Sequence, residues 1–555
     1  MSILTLSRGE ITPISGPLLT VVLDGVGLRE GKEGNALHAA RTPTLDRLLA
    51  QPHLSLTAHG PAVGLPSWGD MGNSEVGHNA LGAGRVFEQG ASLVERAIRE
   101  GTIFTGESWR WLIDGVRESG EALHLIGLLS DGNVHSHEAH LHQLLRRAAK
   151  EGVDRARVHI LLDGRDVSEG SALTYVDRLE ACLQEINNGR AGVDYRIASG
   201  GGRMRVTMDR YEADWAMVER GWQAHVLGEA PGFSSARAAI LAARDAQPGI
   251  SDQQLPSFVV RGADGTPVGP IRDGASVCFF NFRGDRAIEI SRAFEEGGDF
   301  QGFERAPVSV RYAGMMQYDG DLQLPRRFLV DPPAIDRSLG AHLAANGVSQ
   351  YACSETQKYG HVTYFWNGNK SGAFDPKLER YEEIRSDDLP FEERPWMKAA
   401  EITDATLRAL QSGEFRAARI NYANGDMVGH TGDFAATVMA LETVDWALAR
   451  LLRGLATLDG VALVTADHGN AEEMFELEKG SGAVKRSADG RPRPKTSHSL
   501  NPVPLCLFDP RGQVPGGLAW SGEGQPGLAS VAATSLELLG FKPPEDYAPS
   551  LLGKR

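Results

Sequence analysis

The stretch LLTVVLDG, residues 18–25, is a run of apolar and β-branched residues that ends abruptly in Asp24 and Gly25. Continuous apolar runs of this length suit β-strands that are buried on both faces, as in parallel sheets. Seven further runs of this kind follow: LHLIGLLSDG (123–132), VHILLDGRD (158–166), YRIASGGG (195–202), SVCFFNFRGD (276–285), RYAGMMQYDG (311–320), ARINYANGD (418–426) and VALVTADHGN (461–470). Helical patterns lie between them, for example at 42–50 and 436–455. This alternation of strand and helix predicts an α/β fold with mostly parallel sheets.

The composition indicates a globular enzyme and limits its partners. The chain has 555 residues, of which 41% are hydrophobic and 23% charged, and a single core rarely exceeds roughly 250–300 residues, so we expect two domains. A net charge of -15 argues against nucleic acid bound through a broad basic face. We find neither a secretory signal nor the stretch of about 20 apolar residues that a membrane helix needs. Four widely spaced cysteines indicate buried apolar residues in a reducing compartment. We therefore expect a cytoplasmic monomer that binds neither nucleic acid nor membrane.

The polar residues that end the apolar runs change along the chain. Runs near the two chain ends finish in Asp and His, whereas the central runs finish in arginines. Ligands of α/β sheets bind beyond the carboxyl ends of the strands. We therefore expect a discontinuous metal-binding domain, residues 1–88 and 330–555, with a second α/β domain, residues 92–315, inserted to bind the substrate. Residues 89–91 and 316–329 are the predicted hinge linkers, and the second is rich in turn-forming residues.

The segment GLPSWGDMGNSEVGH, residues 64–78, contains four glycines and places Ser74 directly before a sequence that could begin a helix. Free N–H groups and the positive end of the dipole at a helix N-terminus favour an anionic phosphoryl group on such a serine. The alternative is that Ser74 is an ordinary N-cap. The candidate metal ligands elsewhere in the chain favour the first interpretation.

Three aspartates and three histidines near strand ends form a mixed oxygen and nitrogen donor set. They are Asp24, Asp426, His430, Asp467, His468 and His498. Asp426 and His430 are four residues apart, so one helical turn would place them on the same face. The set suits Mn²⁺, Mg²⁺ or Zn²⁺, and its size fits two ions. Coordination lowers the pKa of a serine hydroxyl and neutralises charge on a phosphoryl group. The sequence thus predicts two-metal phosphoryl transfer with Ser74 as nucleophile.

The central motifs place arginines or histidines at strand ends and tight loops. They are SDGNVHSH (130–137), DGRD (163–166), GGGRMRVTMDR (200–210) and NFRGDR (281–286). Arginine binds carboxylate and phosphate in a bidentate fork, so these motifs predict a site for a small, multiply charged anion. The four histidines of HSHEAHLHQ (135–143) could indicate another metal site. We disfavour this interpretation, because we expect His140 and His142 on the following helix and His135 and His137 on the loop.

Seven motifs resemble those of the cofactor-independent phosphoglycerate mutases, whose metal motifs are shared with the wider alkaline phosphatase superfamily. They are MGNSEVGH (71–78), SDGNVHSH (130–137), GRD (164–166), NFRGDR (281–286), ETQKYGHVT (355–363), NGDMVGHTG (424–432) and ADHGN (466–470). The resemblance runs in order from about residue 18 to residue 552. It implies an alkaline-phosphatase-like metal domain with an inserted α/β domain. It also implies interconversion of 3-phosphoglycerate and 2-phosphoglycerate in glycolysis and gluconeogenesis, through a phosphoserine, with two Mn²⁺ or Mg²⁺ ions and no bisphosphoglycerate.

The resemblance also implies roles for individual residues. One metal ion would be bound by Asp426, His430 and His498, and the other by Asp24, Asp467, His468 and Ser74. The implied substrate contacts are His135, Arg165, Asp166, Arg203, Arg210, Arg283, Arg286 and Lys358. Asp166 matches the acid/base that moves the proton of the glycerate hydroxyls, and Lys358 joins Ser74 and Asp166 as a catalytic residue. The spacing in GGGRMRVTMDR leaves Arg203 and Arg205 as alternatives, and we prefer Arg203 because it follows the glycines.

Two other functions are compatible with these motifs. A phosphatase of the same superfamily would hydrolyse the phosphoserine, and a non-catalytic homologue would only bind metal or a partner. The second is disfavoured because every ligand type that the chemistry needs is present. An inserted domain with four anion-binding motifs favours a mutase over a phosphatase, because a mutase must hold the glycerate and exclude water.

Overall fold

The computed structural model describes residues 4–553 except 210–213, 299, 320–321, 334, 479–481 and 488. The chain divides into two compact units. The end unit comprises Met1–Gln89 and Ala334–Arg555, and the inserted unit comprises Gly90–Pro333.

The strands of the described residues are β1 Leu18–Leu23, β2 Leu54–Leu56, β3 Leu123–Leu129, β4 Arg155–Leu162, β5 Asp194–Gly202, β6 Gly232–Phe233, β7 Phe258–Val260, β8 Ser276–Phe279, β9 Arg311–Met316, β10 Phe328–Val330, β11 Gln350–Glu355, β12 Glu379–Ile384, β13 Ala417–Tyr422, β14 Val461–Thr465 and β15 Val503–Phe508. The α-helices are α1 Ala36–Ala39, α2 Pro43–Leu49, α3 Ser74–Ala83, α4 Gly90–Glu100, α5 Thr102–Thr105, α6 Glu107–Ser119, α7 Glu138–Lys150, α8 Ala172–Gly189, α9 Trp215–Trp222, α10 Ala236–Ala246, α11 Ile288–Glu295, α12 Leu339–Ala345, α13 Thr356–Gly360, α14 Ala399–Gln411, α15 Asn424–Gly429, α16 Phe434–Ala456 and α17 Ser530–Leu538.

The end unit contains a seven-stranded sheet in the order β12-β11-β13-β1-β14-β15-β2. The strands from β12 to β14 are parallel, and β15 pairs antiparallel with both β14 and β2. The central strand β1 is fully buried, as expected for a strand covered on both faces. In register, Leu23 pairs with Tyr422, and Val22 pairs with Thr465. The residues that follow β1, β13 and β14 therefore begin at the same level of the sheet.

The inserted unit contains an eight-stranded sheet in the order β10-β9-β8-β3-β4-β5-β7-β6. The strands from β10 to β5 are parallel, whereas β7 pairs antiparallel with β5. Leu162 at the end of β4 pairs with Leu129 of β3 and with Gly202 of β5. The loops that follow these three strands thus leave the sheet side by side.

The secondary structure confirms the α/β prediction. Each of the eight apolar runs contains a strand, and the two predicted helical segments correspond to α2 and α16. The four cysteines are buried and free, as predicted. None of the described helices combines the length and the apolar character needed to cross a bilayer.

The second predicted linker, residues 316–329, differs from the structure at its end. Residues 328–330 form the edge strand β10, which pairs parallel with β9 in the sheet of the inserted unit. The division between the units falls after Pro333. The sequence did not predict this strand, because it lies in a turn-rich segment and three residues are too few to show a periodic pattern.

Candidate metal centre and anion site

Three neighbouring parallel strands deliver the acidic groups of the end unit. Asp24 follows β1, Asp426 lies in the short helix α15 after β13, and Asp467 comes two residues after β14. All three carboxylates are buried. Gly25 allows the loop after β1 to lie close to α15. Its φ is +75°, and a Cβ at this position would lie 2.7 Å from the backbone nitrogen of Asp426. The carboxyl ends of these strands thus form one acidic cluster.

Two groups of side chains in this cluster have the spacing of metal ligands. Within each group the ligand atoms lie within 4.8 Å of one another: Asp426, His468 and His498 form one, and Asp24, Asp467 and His468 form the other. His430 joins the first group, because its Nε2 lies 3.1 Å from Asp426 Oδ1 and 3.0 Å from His498 Nε2. The six side chains that the sequence pointed to therefore lie together, with His468 common to both groups.

Backbone carbonyl groups hold two of the imidazoles in the tautomer that binds metals. His430 Nδ1 lies 2.5 Å from the carbonyl oxygen of Thr496, and His498 Nδ1 lies 2.7 Å from that of Gly72. A carbonyl oxygen can only accept, so each Nδ1 carries the proton and each Nε2 presents its lone pair to the cluster. The donor set therefore fits divalent cations that take both oxygen and nitrogen ligands.

Ser74 is the first residue of α3, and its hydroxyl lies in the cluster. The N-cap of α3 is Asn73, whose side-chain oxygen accepts from the backbone N–H of Val76 at 3.2 Å. Ser74 is thus not the ordinary N-cap. Its Oγ lies 3.0 Å from His468 Nε2 and 3.4 Å from Asp24 Oδ1. The helix N-terminus favours an anionic group on this oxygen.

Lys358 on α13 brings an ammonium group to the same place. Its Nζ donates to Ser74 Oγ at 2.5 Å, to Asp24 Oδ1 at 2.9 Å and to Asp426 Oδ2 at 2.8 Å. Burial lowers the pKa of Lys358, but Asp24 and Asp426 outweigh burial, so the net shift of its pKa is upward. The lysine therefore stays protonated and can stabilise negative charge on Ser74 Oγ.

The three carboxyl groups differ in their acidity. Burial and the charge of Asp467 raise the pKa of Asp24 to about 7. Burial also raises the pKa of Asp426, but His430 and Lys358 outweigh burial and hold this pKa well below the ordinary value. The pKa of Asp467 is likewise lowered, because His468 and His78 outweigh its burial. Asp24 is thus the carboxyl group of the three whose pKa is raised.

A second polar cluster lies at the carboxyl end of the inserted sheet. Arg203 follows β5, is buried, and donates to Asp163 Oδ1 at 2.9 Å and to Asp166 Oδ2. Asp163 also accepts from the backbone N–H groups of Arg165 and Asp166, both at 3.1 Å, and from the Ser130 hydroxyl at 2.6 Å. The DGRD turn is therefore folded around Asp163, and the carboxylate of Asp166 is held by Arg203.

His135 lies where the predicted arginines converge. Burial lowers its pKa well below the ordinary value, and four guanidinium groups lower it further, those of Arg203, Arg283, Arg286 and Arg165. The Oδ1 atom of Asp285 lies 3.5 Å from His135 Nδ1 and 3.0 Å from Arg283 Nε. Arg286 donates to the carbonyl oxygen of Met208 at 2.7 Å. The four guanidinium groups outnumber the carboxylates of Asp163, Asp166 and Asp285 by one, so the cluster has a net positive charge that favours anions.

The remaining predicted residues take different places. Arg205 is exposed, whereas Arg203 is buried in the cluster, and this contrast supports the preference for Arg203. Arg210 lies outside the described residues. His140 and His142 are on α7, and His135 and His137 precede it, as expected from the sequence.

Several residues of the two clusters were not singled out from the sequence. Asn421 on β13 donates to Asp24 Oδ2 at 2.6 Å, and His78 on α3 lies 2.8 Å from the carbonyl oxygen of Ser74. Asp163 and Asp285 lie within the motifs DGRD (163–166) and NFRGDR (281–286), in which only the arginines were predicted to bind an anion. Their position at strand ends beside those arginines was the signal that could have identified them.

Comparisons with known proteins identify the relatives of this chain. A family model described as the Metalloenzyme superfamily matches residues 16–543. A probable 2,3-bisphosphoglycerate-independent phosphoglycerate mutase of Leptospira interrogans is 55% identical over 542 residues, which cover 97% of each chain. The 2,3-bisphosphoglycerate-independent phosphoglycerate mutase of Trypanosoma brucei brucei is 52% identical and covers 99% of each chain. A crystal structure of Leishmania mexicana phosphoglycerate mutase at low cobalt concentration has a TM-score of 0.95, with 49% identity and 99% coverage of both chains.

Proposed function

The chain belongs to the family of 2,3-bisphosphoglycerate-independent phosphoglycerate mutases, which are isomerases, and from this premise we propose that it interconverts 3-phosphoglycerate and 2-phosphoglycerate. The phosphoryl group passes through a phosphoserine at Ser74, and no bisphosphoglycerate takes part. The same reaction would serve glycolysis in one direction and gluconeogenesis in the other.

Ser74 is the proposed nucleophile. Its ionised Oγ attacks phosphorus and the bond from phosphorus to the substrate oxygen breaks. Asp166, which must be protonated when this step begins, gives its proton to the glycerate oxygen and becomes a carboxylate. Asp166 then removes the proton from the neighbouring hydroxyl, which attacks the phosphoserine and releases Ser74. Lys358 donates to Ser74 Oγ and so stabilises the negative charge that this oxygen carries before attack and after release.

Two divalent cations, Mn²⁺ or Mg²⁺, are the proposed cofactors. Asp426, His430 and His498 would hold one, and Asp24, Asp467, His468 and Ser74 would hold the other. When bound, such ions lower the pKa of the serine hydroxyl and neutralise charge on the phosphoryl oxygens. The buried donor set and the oriented imidazoles support this assignment.

The arginine cluster of the inserted unit is the proposed binding site for the glycerate. Arginine forks would hold its carboxylate and phosphate while the phosphoryl group resides on the serine. The proposed contacts are those of His135, Arg165, Asp166, Arg203, Arg210, Arg283 and Arg286, together with Lys358 of the end unit. The ion pair from Arg203 keeps the carboxylate of Asp166 in place.

One observation carries the proposal: the hydroxyl of Ser74 lies at the N-terminus of α3 among both groups of candidate metal ligands. The test is a coupled assay with purified protein, 3-phosphoglycerate, added Mn²⁺ or Mg²⁺ and enolase, without bisphosphoglycerate. We expect metal-dependent formation of 2-phosphoglycerate that EDTA abolishes. Failure to form 2-phosphoglycerate with either metal would refute the proposal.

The same assay separates the mutase from the phosphatase alternative. A phosphatase would release inorganic phosphate from 3-phosphoglycerate, and a non-catalytic homologue would produce neither product. We further propose that the enzyme is a cytoplasmic monomer, and the four buried, free cysteines support a reducing compartment. Sedimentation of the purified protein tests the monomer.

A further inference from the structure

A chain of five hydrogen-bonded side chains crosses the core of the inserted unit. His124, His159 and Ser199 lie on the adjacent strands β3, β4 and β5. His225 lies in the π-helical turn Gln223–Leu227, and Thr207 lies in the loop after β5. Each residue is at most 2% exposed.

The links of this chain are short. His124 Nδ1 lies 2.9 Å from His159 Nε2, and His159 Nδ1 lies 2.7 Å from Ser199 Oγ. Ser199 Oγ lies 2.7 Å from His225 Nδ1, and His225 Nε2 lies 3.0 Å from Thr207 Oγ1. No step of the proposed mechanism uses these groups.

All four links can be made while the three imidazoles are neutral. A neutral imidazole has one N–H and one acceptor nitrogen, and a hydroxyl donates once, so the links follow one another in the same sense. Burial lowers the pKa of His124 and of His225 to about 3, and that of His159 well below its ordinary value. The chain is therefore neutral at physiological pH.

The last residue of the hydrogen-bonded chain, Thr207, has an unfavourable backbone conformation. Thr207 has φ +68°, which a β-branched residue rarely adopts. Its N–H donates to the carbonyl oxygen of Met217 at 2.9 Å, and its hydroxyl contacts His225. Gly221 leaves room for this side chain, because a Cβ there would lie 2.1 Å from Thr207 Oγ1. Side-chain and backbone contacts together hold Thr207 in place.

The loop that contains Thr207 carries part of the anion site. Arg203 is four residues before Thr207, and the next residue, Met208, offers its carbonyl oxygen to Arg286 at 2.7 Å. A change in the conformation of Thr207 would move that oxygen and release the guanidinium group of Arg286. The position of Arg286 therefore depends on the end of the hydrogen-bonded chain.

We propose that the chain His124–His159–Ser199–His225–Thr207 is a positioning element that holds loop 203–209 and thereby orients Arg286 and Arg203 toward the phosphoglycerate. In taking phosphoglycerate as the ligand, the inference rests on the proposed function. Thr207 is the positioning residue in contact with the loop, and the histidines and Ser199 act through it.

The first test compares two substitutions of Thr207, the last residue of the hydrogen-bonded chain. Thr207→Val keeps the shape and β-branch of threonine but removes the hydroxyl, whereas Thr207→Ser keeps the hydroxyl. Small displacements of a binding group reduce turnover by about tenfold to a hundredfold. We expect kcat/KM for 3-phosphoglycerate to fall at least about tenfold in Thr207→Val and to stay within about twofold of wild type in Thr207→Ser.

The second test interrupts the hydrogen-bonded chain of side chains at a distance from the loop. Ser199→Ala removes the hydroxyl that joins His159 to His225, and Ser276→Ala is the matched control. Ser276 is a fully buried serine on β8 of the same sheet whose hydroxyl donates to the carbonyl oxygen of Leu112 at 2.7 Å. We expect both to lower the Tm, but only Ser199→Ala to lower kcat/KM about tenfold and to speed amide hydrogen exchange in residues 203–209 about tenfold.

The outcomes separate this inference from the proposed function. If Ser199→Ala and Thr207→Val match Ser276→Ala in both kcat/KM and hydrogen exchange, the chain only stabilises the fold and the inference is wrong. If wild-type protein lacks mutase activity, the proposed function fails. Hydrogen exchange then decides whether the chain holds the loop, and unchanged exchange in Ser199→Ala overturns that as well.

Discussion

Replacing Lys358 by methionine tests how the end unit compensates its buried carboxylates. The ammonium nitrogen lies 2.9 Å from Asp24 Oδ1 and 2.8 Å from Asp426 Oδ2, and the three side chains are at most 3% exposed. Removing one partner of a buried ion pair costs about 3–5 kcal/mol, because the charge of the other partner stays buried. We expect Lys358→Met to lose that much stability in the presence of a metal chelator.

Divalent cations should reduce this loss. A ligand at about 100 times its Kd adds about 2.7 kcal/mol of stability, and carboxylates that no longer share the lysine attract cations more strongly. Mn²⁺ should therefore raise the Tm of Lys358→Met by more than it raises the Tm of the wild type. The difference in stability between the two proteins becomes smaller when the metal is present.

Thermal unfolding in EDTA and in Mn²⁺ measures the effect. A loss of about 3–5 kcal/mol corresponds to a fall in Tm of roughly 5–10 °C for a unit of this size. Lys485→Met is the matched control, because Lys485 is 39% exposed and pairs with Glu476 at 3.3 Å, where such a pair contributes at most about 1 kcal/mol. An equal fall in Tm for Lys358→Met with and without Mn²⁺ would refute the idea that lysine and cations neutralise the same carboxylates.

Three further substitutions address the serine, the arginine cluster and the buried histidines. Ser74→Ala should abolish formation of 2-phosphoglycerate but keep a rise in Tm with Mn²⁺, and residual turnover above a metal-free control would contradict the nucleophile assignment. Arg286→Ala should raise the ratio of inorganic phosphate to 2-phosphoglycerate formed from 3-phosphoglycerate, because the glycerate is held less well, and an unchanged ratio would move that role to Arg165 or Arg203. Burial lowers the pKa of His225 to about 3, against about 6.5 in the unfolded chain, so stability is lost as pH falls below 6.5, by about 1.4 kcal/mol per pH unit. His225→Asn should lower the pH dependence of the free energy of urea unfolding between pH 6.5 and 5 by about that slope, and an unchanged slope would show that His225 is not held neutral.

The fold and the three aspartates of the candidate metal centre could be predicted because both depend on where apolar runs end. Each run became a strand, and in a parallel sheet the residues after neighbouring strands meet. The sequence alone therefore predicts that Asp24, Asp426 and Asp467 lie close together. It could not identify β10, because three residues carry no periodic signal, and it could not place Lys358, because α13 does not follow the same pattern of an apolar run ending in a polar residue.

The buried histidine chain shows what strand patterns leave undetermined. His124 and His159 interrupt apolar runs, so their burial was predictable from the sequence, but their partners depend on the neighbouring strand. His159 pairs in register with Ser199 only because β4 and β5 have an irregularity between Val158 and His159. A shift of one residue would turn the side chains to the other face of the sheet. Cross-strand contacts of this kind require the register, which the sequence of one strand does not contain.

If the proposed function is correct, the opposite charges of the two clusters give them different roles. In the end unit, three carboxylates among the candidate metal ligands face one ammonium group, so the cluster is negative by itself and repels a phosphate. Two divalent cations would reverse that charge and leave the site positive for a phosphoryl dianion. In the inserted unit, four arginines surround His135 and outnumber the carboxylates of Asp163, Asp166 and Asp285, so that cluster is net positive without metal. In the proposed mechanism, the glycerate would keep only its carboxylate as a charge while the phosphoryl group is on Ser74, and the arginine cluster would supply the cations that hold it. Under the same proposal, the metal ligands alone would favour a phosphatase, whereas the arginine cluster would favour return of the phosphoryl group to the same molecule.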